Sequence, residues 1–302
     1  MISEILAEED RYAEAADVLK SALSVGAQGI ELTLADLLSE MTGSEEEAEH
    51  WYRKAVEEGI EGALNNYGCF LSMDDHRSEE AEQLLLRAMK SGDSLAGGNL
   101  GKLYLDESRF DLALPLLRKS LDSGNAGVLP HLARAELELG ESAAAWQHIL
   151  DAMRAGYPEV DLVCALYLDK YGELHPEENV EDAFVRSLDS GPEAHFQYAN
   201  WLKKQERLEE SEREYRVAIE GGESNGHLNL ALLLDDLGRG EEAELQLRAG
   251  TAAGDALAAA SLARFLADEG KMDEVPDAIR RAAENGCSDE EVHDLWMMYN
   301  SL

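Results

Sequence analysis

The sequence predicts an all-α fold, an α-solenoid of about eight to nine helix-turn-helix repeats of 32–33 residues each. Three observations predict it. A glycine recurs nine times, at Gly26, Gly59, Gly92, Gly124, Gly156, Gly191, Gly222, Gly254 and Gly286, with gaps of 33, 33, 32, 32, 35, 31, 32 and 32 residues by subtraction. Each glycine closes the same pattern of small and large apolar residues at helical spacing. No stretch alternates with the two-residue period of a strand. A period in this range marks stacked units that bury their apolar faces against their neighbours.

The segment before each glycine is helix B. Four residues earlier stands a small residue, as at Ala22, Ala55, Ala88, Ser120 and Ala152. Eleven residues earlier there is usually another, with Val180 and Val275 as exceptions. Seven residues earlier stands a large apolar residue: Leu19, Tyr52, Leu85, Leu117, Ile149, Phe184, Tyr215, Leu247 and Ile279. These offsets share one helical face, where small residues admit a neighbouring helix and the large one fills the space between. The glycine suits the left-handed position that ends a helix. Helix A follows it, with a small residue nine positions on at Ala35, Gly68, Gly101, Ala133, Ala165, Ala231 and Ala263. In the sixth unit that offset is eight, at Ala199, and in the last the position holds Leu295. Between A and B a turn carries a basic residue: Arg77, Arg109, Arg207, Arg239 or Lys271.

These residues resemble the tetratricopeptide repeat family. Leu64, Tyr67, Gly68 and Leu71 stand in the places of its helix A pattern, and Ala48, Tyr52 and Ala55 in those of its helix B pattern. The run from Trp51 to Ala55 is also similar to Sel1-like repeats. The resemblance covers nearly the whole chain. It departs in a period of 32–33 rather than about 34, and in glycine where a terminal proline is usual. It implies a right-handed superhelix whose helices A line a concave groove for peptides.

One helical-repeat domain is expected over residues 1–302. It comprises a partial repeat at 1–26, an irregular repeat at 157–191 and a capping helix at 287–302. The irregular repeat holds the widest gap, which reads as a lengthened turn from Tyr171 to Pro176. The capping helix carries Trp296, Met297, Met298 and Tyr299, very apolar for an outer face. It is expected to pack back on the preceding helix B, with an oligomer or partner contact as the alternative.

Composition narrows the function classes. The formal net charge is −37, from 26 basic and 63 acidic residues. Phosphate contacts need clustered Lys and Arg, so direct nucleic-acid binding and docking on anionic lipid are disfavoured. Basic protein segments would instead be steered in. Many acids, such as Glu45–Glu47 and Glu241–Glu242, also stand where helix B begins and complement its dipole. No apolar run approaches the ~20 residues that span a bilayer. The start of the chain has no basic, apolar leader, and Cys69, Cys164 and Cys287 fall in three different units. A cytoplasmic location is expected.

Nothing in the sequence argues for an enzyme, a cofactor or a metal site. The glycines of 97–101 lie at the start of a helix A, where close packing explains them. The functional signal is on helix A. The resemblance places ligand-binding Asn two residues before the small residue, where Asn66, Asn99 and His131 stand here. One residue after it, on the same face, stand Lys102 and Arg134. With Asn65 these make the expected groove site, whose amides offer a donor and an acceptor to an extended backbone. The basic residues that complete a carboxylate clamp are replaced by Asn65, Gly98 and Pro130. The expected function is an adaptor or regulator that binds a protein segment. The alternative is a structural protein that self-assembles through its C-terminal helix.

Overall fold

The computed structural model describes residues 11–301, which form eighteen α-helices and no strand. The helices alternate B, A, B, A along the chain. Contacts gather them into two compact units, one ending at Tyr157 and one beginning at Pro158. The first holds α1 (Tyr12–Ser24), α2 (Glu31–Ser39), α3 (Glu45–Glu57), α4 (Ala63–Leu71), α5 (Ser78–Ser91), α6 (Ala96–Asp106), α7 (Phe110–Asp122), α8 (Leu129–Glu138) and α9 (Ser142–Ala155). The second holds α10 (Val160–Tyr171), α11 (Val180–Ser187), α12 (Pro192–Lys204), α13 (Leu208–Glu220), α14 (Asn225–Asp236), α15 (Gly240–Ala252), α16 (Ala256–Asp268), α17 (Val275–Glu284) and α18 (Asp289–Ser301). Even-numbered helices are A and odd-numbered ones B. Within each unit a helix A packs most closely on the helix B that follows it, as in a helical-repeat solenoid.

The recurrent small residues are explained by that packing. A methyl group on Gly68 would lie 2.8 Å from Leu85 Cγ, and one on Gly101 would lie 2.8 Å from Leu117 Cγ. The large residue of helix B thus sits directly on the backbone of helix A. Leu85 and Leu117 are fully buried there, each worth about 1.5–3 kcal/mol relative to exposure. The glycine ending helix B has a matching reason. At Gly92 the backbone is left-handed, φ 94°, and the N–H of Asp93 returns 3.1 Å to the carbonyl of Ala88. The same return, from the residue after the glycine to the small residue four before it, closes eight of the nine units. The exception is Gly191, whose φ of 114° and ψ of −169° end a short 3-10 turn instead. It lies in the unit with the lengthened turn, where α10 runs into a 3-10 turn, Gly172–Leu174, ahead of Pro176.

The basic turn residues join successive repeats. Arg77 lies 2.7 Å from Glu49 on the preceding helix B, and Arg109 lies 2.9 Å from Glu82. In the second unit Arg207 and Arg239 each lie 2.6 Å from Glu181 and Glu212, and Lys271 pairs with Glu244. All five glutamates stand ten residues before a glycine. The hydroxyls of Tyr67, Tyr104 and Tyr198 donate to three of them at 2.8–3.1 Å. Where the turn lacks a cation, the glutamate is missing as well: Ala16 with Gly43, Leu114 with Glu141, Trp146 with Glu173. At the second of these joints the charges are exchanged, and Arg118 of α7 pairs with Glu141 of the turn and with the fully buried Glu136, 2.9 Å away.

Two outcomes follow for stability. Gly101→Ala in the native background is expected to lower stability in urea by about 1–2 kcal/mol through overpacking. In a Leu117→Ala background, itself about 2–5 kcal/mol less stable, the same change becomes neutral or stabilising through helix propensity. Arg77, Arg239 and Lys271 hold the carboxyls of Glu49, Glu212 and Glu244 below their ordinary value of 4.5. Depressed carboxylates stabilise the fold fully above that value, and the contribution is lost as pH falls through their folded-state values. Urea titrations from pH 6 to pH 3 therefore give a steeper loss below about pH 4.5 for the native chain than for Glu49→Gln/Glu212→Gln.

Candidate functional site

Three of the six expected groove residues form one hydrogen-bonded chain across helices A. The Asn99 amide on α6 donates to Asn65 Oδ1 on α4 at 2.9 Å, and Asn65 donates to its neighbour Asn66 at 3.2 Å. Asn66 in turn donates to both oxygens of Asp36 on α2 at 3.1 Å. The Tyr52 hydroxyl on α3 donates to the same Asp36 carboxylate at 2.9 Å. Asn65 is buried, while Asn66 and Asn99 are half-buried, so the chain is partly structural and partly presented to solvent.

The second unit repeats the arrangement. The Tyr215 hydroxyl on α13 donates to Asn200 Oδ1 on α12 at 2.7 Å, and Asn229 on α14 donates to the same atom at 2.9 Å. Asp36 and Asn200 follow Ala35 and Ala199 and so occupy one register position, the same that Lys102 and Arg134 hold. Sequence reasoning missed Asp36, although that register identified it. Burial pushes the phenol of Tyr215 up to about 12 and that of Tyr52 higher still, so both remain donors.

The remaining expected residues stand on α6 and α8. Lys102, three residues along α6 from Asn99, is exposed and makes no hydrogen bond or ion pair among the described residues. It lies close enough to the half-buried thiol of Cys69 to oppose, without reversing, the rise to about 11 that burial imposes. Arg134 donates to Glu138 one turn along α8 at 2.8 Å, and His131 on the same helix is half-buried. The C-terminal group divides. Leu295 is fully buried, and Met298 and Tyr299 pack against the core of the second unit, while Trp296 and Met297 are 36% and 58% exposed. Among the described residues no His, Cys, Asp and Glu side chains gather to hold a metal ion, and no helix is long and apolar enough to cross a membrane.

The two kinds of residue separate in a stability measurement. Asn66→Ala leaves Asp36 without its amide donor and is expected to cost about 1–3 kcal/mol in urea denaturation. Lys102→Ala is expected to stay within about 0.5 kcal/mol of the native chain.

No protein-family profile matches the chain, and no curated protein sequence does. Solved structures do. Yeast Tom70 is similar over 91% of this chain at 16% identity with a TM-score of 0.65, and the chain spans 64% of the Tom70 chain. Human IFIT1, solved with PPP-AAAA, is similar over 98% of this chain and 79% of its own at 16% identity and a TM-score of 0.62. Cut9, solved with Hcn1, is similar over 96% of this chain and 59% of its own at 13% identity and a TM-score of 0.56. With its repeat period, its alternating helices and these neighbours, the chain has the fold of a tetratricopeptide-type repeat protein.

Proposed function

We propose that the chain is a non-enzymatic adaptor or regulator that binds a protein segment along the helix-A face of its first unit, in the cytoplasm. The observation that carries this reading is Lys102. It stands exposed, without a hydrogen bond or ion pair among the described residues, three residues along α6 from Asn99, and an amide chain already fixes the orientation of Asn65, Asn66 and Asn99. A preorganised amide recognises an extended backbone at little further ordering cost. The fold does not choose the class of ligand, since Cut9 is solved with Hcn1 and IFIT1 with PPP-AAAA. Charge favours protein here, because a net charge of −37 repels phosphate and draws in basic segments. The exposure of Trp296 and Met297 supports a second reading, self-assembly through α18.

The test is affinity purification from the source cells with identification of captured proteins, native chain against Asn99→Ala/Lys102→Ala. At least a fivefold loss of a captured partner is expected, with an unchanged helical circular dichroism spectrum. Undiminished capture by the double variant contradicts the site. A concentration-dependent dimer in light scattering, lost in Trp296→Ser/Met297→Ser, favours self-assembly instead.

A further inference from the structure

With 26 Lys and Arg against 63 acids, the chain engages most of its cations internally. Five of their side chains, those of Arg87, Lys90, Lys102, Lys119 and Arg264, make neither a hydrogen bond nor an ion pair among the described residues. Four of the five fall within residues 87–119, on α5, α6 and α7 of the first unit, so the unpaired positive charge is concentrated in one place. Lys102 belongs to the helix-A face. Arg87 and Lys119 hold a single register on successive helices B, five residues before Gly92 and Gly124, and Lys90 follows Arg87 one turn on.

Arg87 and Lys119 each line a cleft on the edge where a helix B gives way to the next helix A. The cleft of Arg87, about 650 Å³, holds the hydroxyls of Ser91 and Ser94 and is walled by Ile60, Leu64 and Leu95. The cleft of Lys119, about 200 Å³, holds Ser120, Ser123 and the backbone of Gly97. Gly92, Asp93 and Ser94 line both, so the two clefts adjoin. The Ser94 hydroxyl makes no hydrogen bond among the described residues. Two acids share this edge. Asp93 Oδ1 accepts the N–H groups of Leu95 and Ala96 at 2.9 and 3.3 Å and so is engaged in starting α6. Glu61 lines the larger cleft without pairing with Arg87. Cations near the ends of helices B suit the helix dipole, and one alone needs no ligand. Two that line adjoining clefts with hydroxyls, and that no carboxylate neutralises, match an anion with several oxygens. An arginine fork takes two oxygens of a phosphoryl group, a lysine supplies a point charge, and hydroxyls donate to the rest. The chain's surplus of acids repels a polyanion at long range. A single phosphoryl group at contact is governed by the charges within a Debye length, about 8 Å at physiological salt.

We propose that the edge formed by the end of α5, the start of α6 and the end of α7 is a binding site for a single phosphoryl group, as the free ion or as a monoester on an organic carrier. Arg87 and Lys119 hold its oxygens and Ser94 donates to it. The site shares no residue with the proposed helix-A site, so each can fail alone.

The probes are inorganic phosphate, acetyl-phosphoserine amide and acetyl-glutamate amide. Each is titrated into the nitrogen-15-labelled full-length chain at about pH 7.5, where a phosphomonoester is mostly dianionic, and the backbone amide signals of Gly92, Ser94 and Gly97 are followed by NMR. At least one phosphate probe is expected to shift these signals saturably, with a midpoint at least fivefold below that of acetyl-glutamate amide. A lower midpoint for phosphoserine assigns the phosphoryl group to an organic carrier and a lower midpoint for phosphate assigns it to the free ion, and either order supports the site. Arg87→Ala/Lys119→Ala is expected to raise the midpoint at least fivefold with an unchanged helical circular dichroism spectrum. Arg87→Lys keeps part of the affinity, and Lys102→Ala leaves it unchanged. Absence of saturation with both phosphate probes, a midpoint for acetyl-glutamate amide equal to theirs, or a midpoint in Arg87→Ala/Lys119→Ala within twofold of the native chain overturns the proposal. Loss of binding in Lys102→Ala moves the anion to the helix-A face and overturns it as well.

Discussion

A large apolar side chain of helix B resting on a residue of helix A that has almost no side chain is the contact on which each repeat depends. Leu85 on Gly68 and Leu117 on Gly101 bring two helices together so closely that one methyl group has no room. That proximity fixes the rotation of helix A about its own axis. The residues on either side of the small position are then fixed too, and they include Asn66, Asn99, Lys102, Arg134 and Arg264. The exposed polar face is therefore a consequence of the packing face, one register step away.

Successive repeats are joined by a different kind of contact. In five of the A–B turns a cation reaches the glutamate ten residues before the preceding glycine, and the two appear or disappear together along the chain. A buried or half-buried carboxylate without its partner is costly, which is reason enough for the pair to be kept or dropped as a whole. The joint around α7 and α8 keeps the ion pair but exchanges its ends, with Arg118 on the helix and Glu141 in the turn. Much of the chain's charge is thus internal to its architecture. The acids at the starts of α3, α5, α13 and α15 are placed where helix dipoles favour them, and Glu80, Glu210 and Glu242 also bind a turn cation.

The architecture was legible because a repeat states each of its requirements many times. Ala88, Leu85 and Gly92 mean little singly, but nine copies at one spacing define helix B, its buried face and its end. The partners of the turn cations were legible in the same way but lie one repeat back, which only a fold in register reveals. Asp36 was not legible as a partner of the amides, because the acceptor in that network is a carboxylate in one unit and an amide, Asn200, in the other. The turn after α10 was legible from Pro176, but the departure at Gly191 was not, since a lone glycine does not declare its ψ. The apolar run at the C-terminus was legible as a group, and only helical phase separates the inward Met298 and Tyr299 from the outward Trp296 and Met297.

The central functional claim is that ligand meets the helix-A face rather than the outer face of helix B. Site-specific photocrosslinking in cells tests it most directly, with a benzophenone side chain placed at Lys102 or, as the contrast, at Arg213 on α13, whose side chain is 71% exposed. The account predicts a discrete protein adduct from position 102 and none from position 213. Adducts of equal yield from both positions, or from 213 alone, would contradict it.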